Sequence, residues 1–237
     1  MRENFPDYGI LSEEAGSKNK SASYQWIIDP LDGSYNFQHG NPTFAISISL
    51  VINKITRISV VYLPLQQEMF TASLGRGAHL NDKPIRVSDT SNLDDSIIHV
   101  GDFAKDGNIH ENKNLLKDNA HLANTVGRVR MIGTAATDLA YVACGRAEAL
   151  VIQNALPWDI EVGCLLVSEA GGKIYRSKEA KSGRCLVVCT NESIHGQLLD
   201  VISKRNYFEK KVVLPSIYNI REKIAATLKH HKFAIFF

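Results

Sequence analysis

The chain has 237 residues, 44% of them hydrophobic and 22% charged; these are globular proportions that exclude a disordered chain and, at ~150 residues per domain, allow one large domain or two small ones. Lys and Arg number 27 against 25 Asp and Glu, a formal net charge of +2, which supplies no broad electrostatic footprint for direct nucleic-acid or membrane binding. Four scattered cysteines (Cys144, Cys164, Cys185, Cys189) match neither a disulfide framework nor a zinc site, and without an apolar run of ~20 residues or a signal-like start the expectation is a soluble, cytoplasmic protein.

Tyr24 to Asp29 clusters aromatic and β-branched residues and reads as a buried strand that Pro30 stops. Thr43 to Ile52 alternates apolar and small polar residues with period two, the pattern of a half-covered strand. Asn53-Lys54 supplies a turn, Arg57 to Leu63 returns, and Glu68 to Ala72 adds a third strand of an antiparallel meander. Gly75-Arg76-Gly77 lacks the third glycine of a nucleotide-binding fingerprint and reads as a turn.

Beyond Asn92 strands alternate with helices. Ser96 to Val100, Arg128 to Ile132, Ala147 to Ile152 and Cys185 to Cys189 read as strands, the last with its cysteines as buried small hydrophobes. Between them lie a polar helix at Asn108 to Asn119, a small-residue helix from Thr134 to Cys144, and an apolar helix from Ile160 to Ala170 ended by Gly171-Gly172. The pattern predicts a layered α+β or α/β fold with helices and sheets in alternating layers: a mixed, mostly antiparallel sheet lobe (1–92), then an α/β lobe (93–237). From Ser216, Ile217, Ile220, Ile224 and Leu228 share a helical face, giving an amphipathic helix that either docks on its own domain or serves a partner or membrane surface. His230-His231 has no third ligand at a recognisable spacing and reads as a solvated helix end.

Chemistry concentrates in three acidic segments. In the first, Trp26 to Ser34, a buried strand ends in Asp29, Pro30 forces a turn, and Asp32 follows with Gly33-Ser34 behind it. Two anions ~4 Å apart repel by about 4 kcal/mol at an effective dielectric of ~20, so a hard cation such as Mg²⁺ is the natural neutraliser; a plain Asp-Pro turn with an Asp cap is the alternative. Gly33 permits close backbone approach, so the Gly33 and Ser34 amides can hold a phosphate oxygen. In the second segment Glu13-Glu14 follows a short apolar run, and in the third Asp159 opens the apolar helix; alone they read as solvated glutamates and a helix cap.

Together these segments resemble the signatures of the inositol monophosphatase family of lithium-sensitive, magnesium-dependent phosphatases. Asp29-Pro30-Leu31-Asp32-Gly33-Ser34 matches the family's Asp-Pro-Ile/Leu-Asp-Gly-Thr/Ser. Trp158-Asp159 through Glu169-Ala170-Gly171-Gly172 is similar to its Trp-Asp and Glu-Ala-Gly-Gly elements, and Ser12-Glu13-Glu14-Ala15 to its Gly-Glu-Glu-Ser. Gly133-Thr134-Ala135-Ala136 also fits. The resemblance implies the family's sugar-phosphatase fold and hydrolysis of inositol monophosphate or a related small sugar or polyol phosphate by metal-activated water. Fructose-bisphosphatase and nucleotide 3′-phosphatase activities are the neighbouring alternatives. It further implies that Glu13, Asp29 and the Leu31 carbonyl bind one Mg²⁺ and that Asp29, Asp32 and Asp159 bind a second. Gly33 and Ser34 would hold the phosphate, and Gly133, Thr134 and Ala135 would lie beside the alcohol.

Two departures accompany the resemblance. The family carries two helices and an Asp-x-x-Thr-x-x-Asp stretch ahead of the glutamate motif, whereas Met1 stands close to it here. Those helices help dimerisation, and the last Asp of that stretch pairs with the position of Ser34 to orient the attacking water. The expectation is therefore a truncated chain with doubtful homodimerisation and activity reduced ~10–100-fold, or a scaffold that keeps the fold. At the position six before Trp158, where inositol-handling members carry glutamate, the chain has Ile152, which accepts no hydrogen bond from a hydroxyl.

Overall fold

The computed structural model describes residues 3–103, 109–177 and 184–203. The predicted helix from Ser216 and the His230-His231 pair lie outside them. Among the described residues the meander forms one eight-stranded sheet. Its strands are β1 (Gly9–Ser12), β2 (Gly16–Lys18), β3 (Tyr24–Asp32), β4 (Ala45–Ile52), β5 (Ile55–Leu63), β6 (Glu68–Ser73), β7 (Ala78–Leu80) and β8 (Lys83–Ile85), with the short α1 (Ser34–Gln38) between β3 and β4. They lie in the order β2-β1-β3-β4-β5-β6-β7-β8. β1 runs parallel to β3, and β3 to β8 zigzag antiparallel. At the β4–β5 hairpin Asn53 and Lys54 both take positive φ (50° and 65°), as a two-residue turn matched to strand twist requires.

The period-two pattern of β4 buries its small face. Ala45, Ser47 and Ser49 are at most 2% exposed, whereas Ile46 is 36% exposed. Small side chains let a helix approach the sheet closely, and the helix that does so comes from the second half of the chain.

That half supplies β9 (Ile97–Val100), α2 (Ile109–Ala123), β10 (Arg128–Arg130), α3 (Ala135–Ala143), β11 (Ala149–Ala155), α4 (Pro157–Glu169), β12 (Lys173–Arg176), β13 (Cys185–Thr190) and α5 (His195–Ser203). Its described strands form a mixed sheet in the order β10-β9-β11-β13-β12. Helices α3 and α4 contact each other and strands of both sheets, so the fold is layered α+β with interleaved helices. Gly163 makes the helix pair close: a Cβ there would stand 2.2 Å from Leu139 Cδ1. The core joins Leu139, Ile160 and Leu166 of these helices to Val61 and Phe70 of one sheet and Leu150 and Val187 of the other. Among the described residues no helix is long and apolar enough to cross a membrane.

The Gly75-Arg76-Gly77 segment is a turn held from a distance. The Gly75 and Gly77 amides donate to the two carboxylate oxygens of Glu169 at 2.9 and 2.8 Å, tying the end of α4 to the β6–β7 connection. Glu169→Ala removes both acceptors and is expected to cost about 1–3 kcal/mol in urea unfolding. Unfolding curves that superimpose on those of the unmodified chain would disprove this role.

Candidate active site

The two acids of the Asp-Pro segment stand three positions apart, an odd spacing that in a regular strand would point them to opposite faces. Register removes the conflict. Asp29 pairs with Ser47 and Asp32 with Ala45, so three steps on β3 oppose two on β4: a β-bulge. Both acids are thereby turned to the buried face that carries Ala45 and Ser47. Pro30 does not stop the strand, because a bulge tolerates a residue that cannot donate to the ladder. The Leu31 amide instead donates to Asp29 Oδ1 at 3.0 Å.

Parallel pairing brings the third acid. Ser12 aligns with Ile28, and the Glu13 amide donates to the Ile28 carbonyl at 3.3 Å, so Glu13 leaves β1 beside Asp29. The two carboxyl groups stand close enough for Asp29 to hold Glu13 above its ordinary range. The fourth acid, Asp159, occupies the first turn of α4, where Pro157 supplies a preset φ. Its Oδ2 accepts from the Leu156 amide at 2.7 Å.

Asp32 is gripped by the start of α3. Its Oδ2 accepts from the Thr134 hydroxyl at 2.8 Å and the Ala136 amide at 2.6 Å. Thr134 also caps that helix by accepting from the Thr137 amide, so the cap and the site use one side chain. Gly33 turns the chain from β3 into α1 at φ 88°, and a Cβ on it would stand 3.2 Å from both Thr134 Cβ and the Thr43 carbonyl oxygen. Only glycine meets both demands. Ser34 opens α1 and is exposed, and Leu31 is half-buried.

The electrostatics are those of crowded like charges. Burial, then Asp29, pushes Glu13 up to about 7. Burial pushes Asp32 up to about 7 although Ala136 and Thr134 donate to it, and Asp29 and Asp159 add to the rise. Burial and Asp29 push Asp159 up to about 6, with Arg184 pulling the other way. Asp29 is likewise raised by burial. The donor set is wholly hard oxygen and short of positive charge, the chemistry that fits a hard divalent cation. Among the described residues no three His, Cys, Asp or Glu side chains stand close enough together to hold one metal ion.

Asp32 and Asp159 open onto a cleft that Gly133, Thr134, Ala135 and Ile152 also line. Glu13, Asp29, Leu31, Gly33 and Ser34 lie off its lining. Two further acids on the cleft wall, Asp102 and Asp138, escape sequence reading. Asp138 looks like an ordinary first-turn acid of α3, but it is buried and hydrogen-bonded to buried His99 on β9, and burial pushes it up to about 6 against that bond. Asp102 follows β9 at the cleft rim and is exposed.

The model of the inositol monophosphatase family matches residues 1–232. A putative Nus factor SuhB of Neisseria meningitidis serogroup B is 39% identical over 208 residues, 86% of this chain and 78% of that protein. An inositol-1-monophosphatase of Synechocystis sp. is 37% identical over 206 residues, 86% of this chain and 71% of its own length. Among solved structures, that of inositol monophosphatase from Anabaena (Nostoc) sp. shares 38% identity at a TM-score of 0.76, covering 86% of this chain and 81% of the other.

Proposed function

The chain belongs to the inositol monophosphatase family, and from that premise we propose that it is a Mg²⁺-dependent phosphomonoesterase acting on inositol monophosphate or a related small sugar or polyol phosphate. Glu13, Asp29 and the Leu31 carbonyl would hold one cation and Asp29, Asp32 and Asp159 a second, and when bound the pair supplies positive charge against the phosphoryl oxygens and the departing alkoxide. The Gly33 and Ser34 amides hold the phosphate. Gly133, Thr134 and Ala135 flank the alcohol, with Ile152 as an apolar wall.

One observation carries the reading: three of the four carboxylates have one oxygen pinned by a donor of the chain. Leu31 holds Asp29, Thr134 and Ala136 hold Asp32, and Leu156 holds Asp159. Pinning one oxygen orients the other toward a shared ligand before it arrives. A purely structural acid cluster gains nothing from such alignment and pays for the repulsion.

Phosphate release from inositol 1-phosphate, fructose 1,6-bisphosphate and a nucleoside 3′-phosphate, each with and without Mg²⁺, tests the proposal. Mg²⁺-dependent release, fastest from the inositol ester, is expected. No release from any of them overturns it. A second reading, a transcription-associated scaffold, is favoured by the Nus factor names of several relatives. It requires capture of transcription proteins without Mg²⁺ binding, which a pull-down paired with a Mg²⁺ titration distinguishes.

A further inference from the structure

We infer that Asp102 selects the alcohol part of the substrate, accepting hydroxyl groups of a small polyol monophosphate and turning away substrates that carry a second phosphate. The inference rests on the phosphatase reading above and concerns the same cleft. Strands β9 and β11 pair in parallel with Val100 opposite Val151, and the Gly101 amide donates to the Val151 carbonyl at 3.1 Å. The chain leaving β9 therefore runs along Ile152, so closely that a Cβ on Gly101 would stand 2.7 Å from Ile152 Cγ1. Ile152 gives this wall apolar surface and no acceptor; Asp102, the residue after that glycine, adds a carboxylate to it.

The carboxylate reaches the turn that flanks the alcohol. A Cβ on Gly133 would stand 3.4 Å from Asp102 Oδ2, so the acid lies over Gly133, at the head of the Gly133-Thr134-Ala135 turn. Among the described residues Asp102 has no hydrogen-bond or ion-pair partner. A carboxylate offers only acceptors, so this one awaits donors from a ligand. No Lys or Arg is among the described residues lining the cleft. Hydroxyl donors are attracted there, and a second phosphate is repelled.

The test measures binding by calorimetry in Mg²⁺, with the non-hydrolysable phosphonate analogue of inositol 1-phosphate, fructose 1,6-bisphosphate and inorganic phosphate as probes. Asp102→Ala is expected to lower the preference for the polyol phosphonate over inorganic phosphate about 10-fold, the loss of one charge-assisted hydrogen bond. Asp102→Asn, which keeps an acceptor of the same shape, loses less, and Asp102→Lys gains affinity for the bisphosphate. Equal preferences in the unmodified chain and Asp102→Ala overturn the inference, as does failure of the polyol phosphonate to bind the unmodified chain. Binding that responds to Asp102→Ala in a protein releasing no phosphate keeps the inference and discards the phosphatase reading.

Discussion

Asp29→Asn is expected to lower phosphate release about 10³-fold, roughly 4 kcal/mol of lost transition-state stabilisation, while raising the melting temperature of the cation-free protein. The two effects share one cause. Asp29 is 2% exposed and adds repulsion to Glu13, Asp32 and Asp159 alike, so it is the charge the other three share. In the proposed reaction Asp29 would also be a ligand common to both cations, and an amide there would bring no charge to either. Without a cation the same substitution removes a buried anion and keeps an oxygen to accept from the Leu31 amide. A gain of about 1–2 kcal/mol follows, or some 2–6 °C in a chain of this size.

Thermal melts in a chelator and phosphate release in Mg²⁺ read the two effects separately. Asp89→Asn is the control, because among the described residues Asp89 makes only an exposed ion pair with Arg86 and should move neither. A variant that melts lower than the unmodified chain and keeps its activity would mean that Asp29 is a structural acid. Function and stability pull oppositely at this residue, as in a site held short of counter-charge until its ligand arrives.

How much of this was legible beforehand depended on which interactions were local. The Asp29 to Ser34 motif announced a turn with two acids, and the small-residue run after Thr134 announced a capped helix; both are set within a few residues. The bulge that puts Asp29 and Asp32 on one face was not legible, since it exists only in the register of β3 against β4, and the same register is why Pro30 failed to end the strand. β2, β7, β8 and β12, with three or four residues each, carry too little alternation to stand out as a pattern in the sequence. Asp102, Asp138 and His99 became neighbours through pairing of β9 with β11 and packing of α3, contacts that no local spacing encodes. Glu169 of the Glu-Ala-Gly-Gly element is a related case: no local spacing shows that its carboxylate serves the distant Gly75 and Gly77 amides.

The cation-free protein is expected to lose stability as pH rises from about 5 to 8, and Mg²⁺ to restore it most at the upper end. The sign follows from proton counting. Asp32 at about 7 and Asp159 at about 6 stand above the ordinary carboxylate value of 3.8, so between those limits the folded state holds protons that the unfolded chain has released. Where the folded state binds more protons, stability falls with rising pH. The loss should amount to roughly 2–4 kcal/mol, counting the two half-buried aspartates and discounting exposed Glu13 for solvent screening. A divalent cation competes with those protons, so its affinity rises with pH and its stabilisation, set by concentration over the dissociation constant, rises with it. Melting temperatures at pH 5 and pH 8, each with a chelator and with Mg²⁺, therefore form a square in which the Mg²⁺ increment is larger at pH 8. Equal increments at the two pH values, with a chelated protein no less stable at pH 8, would mean that the carboxylates are neither crowded nor cation-directed.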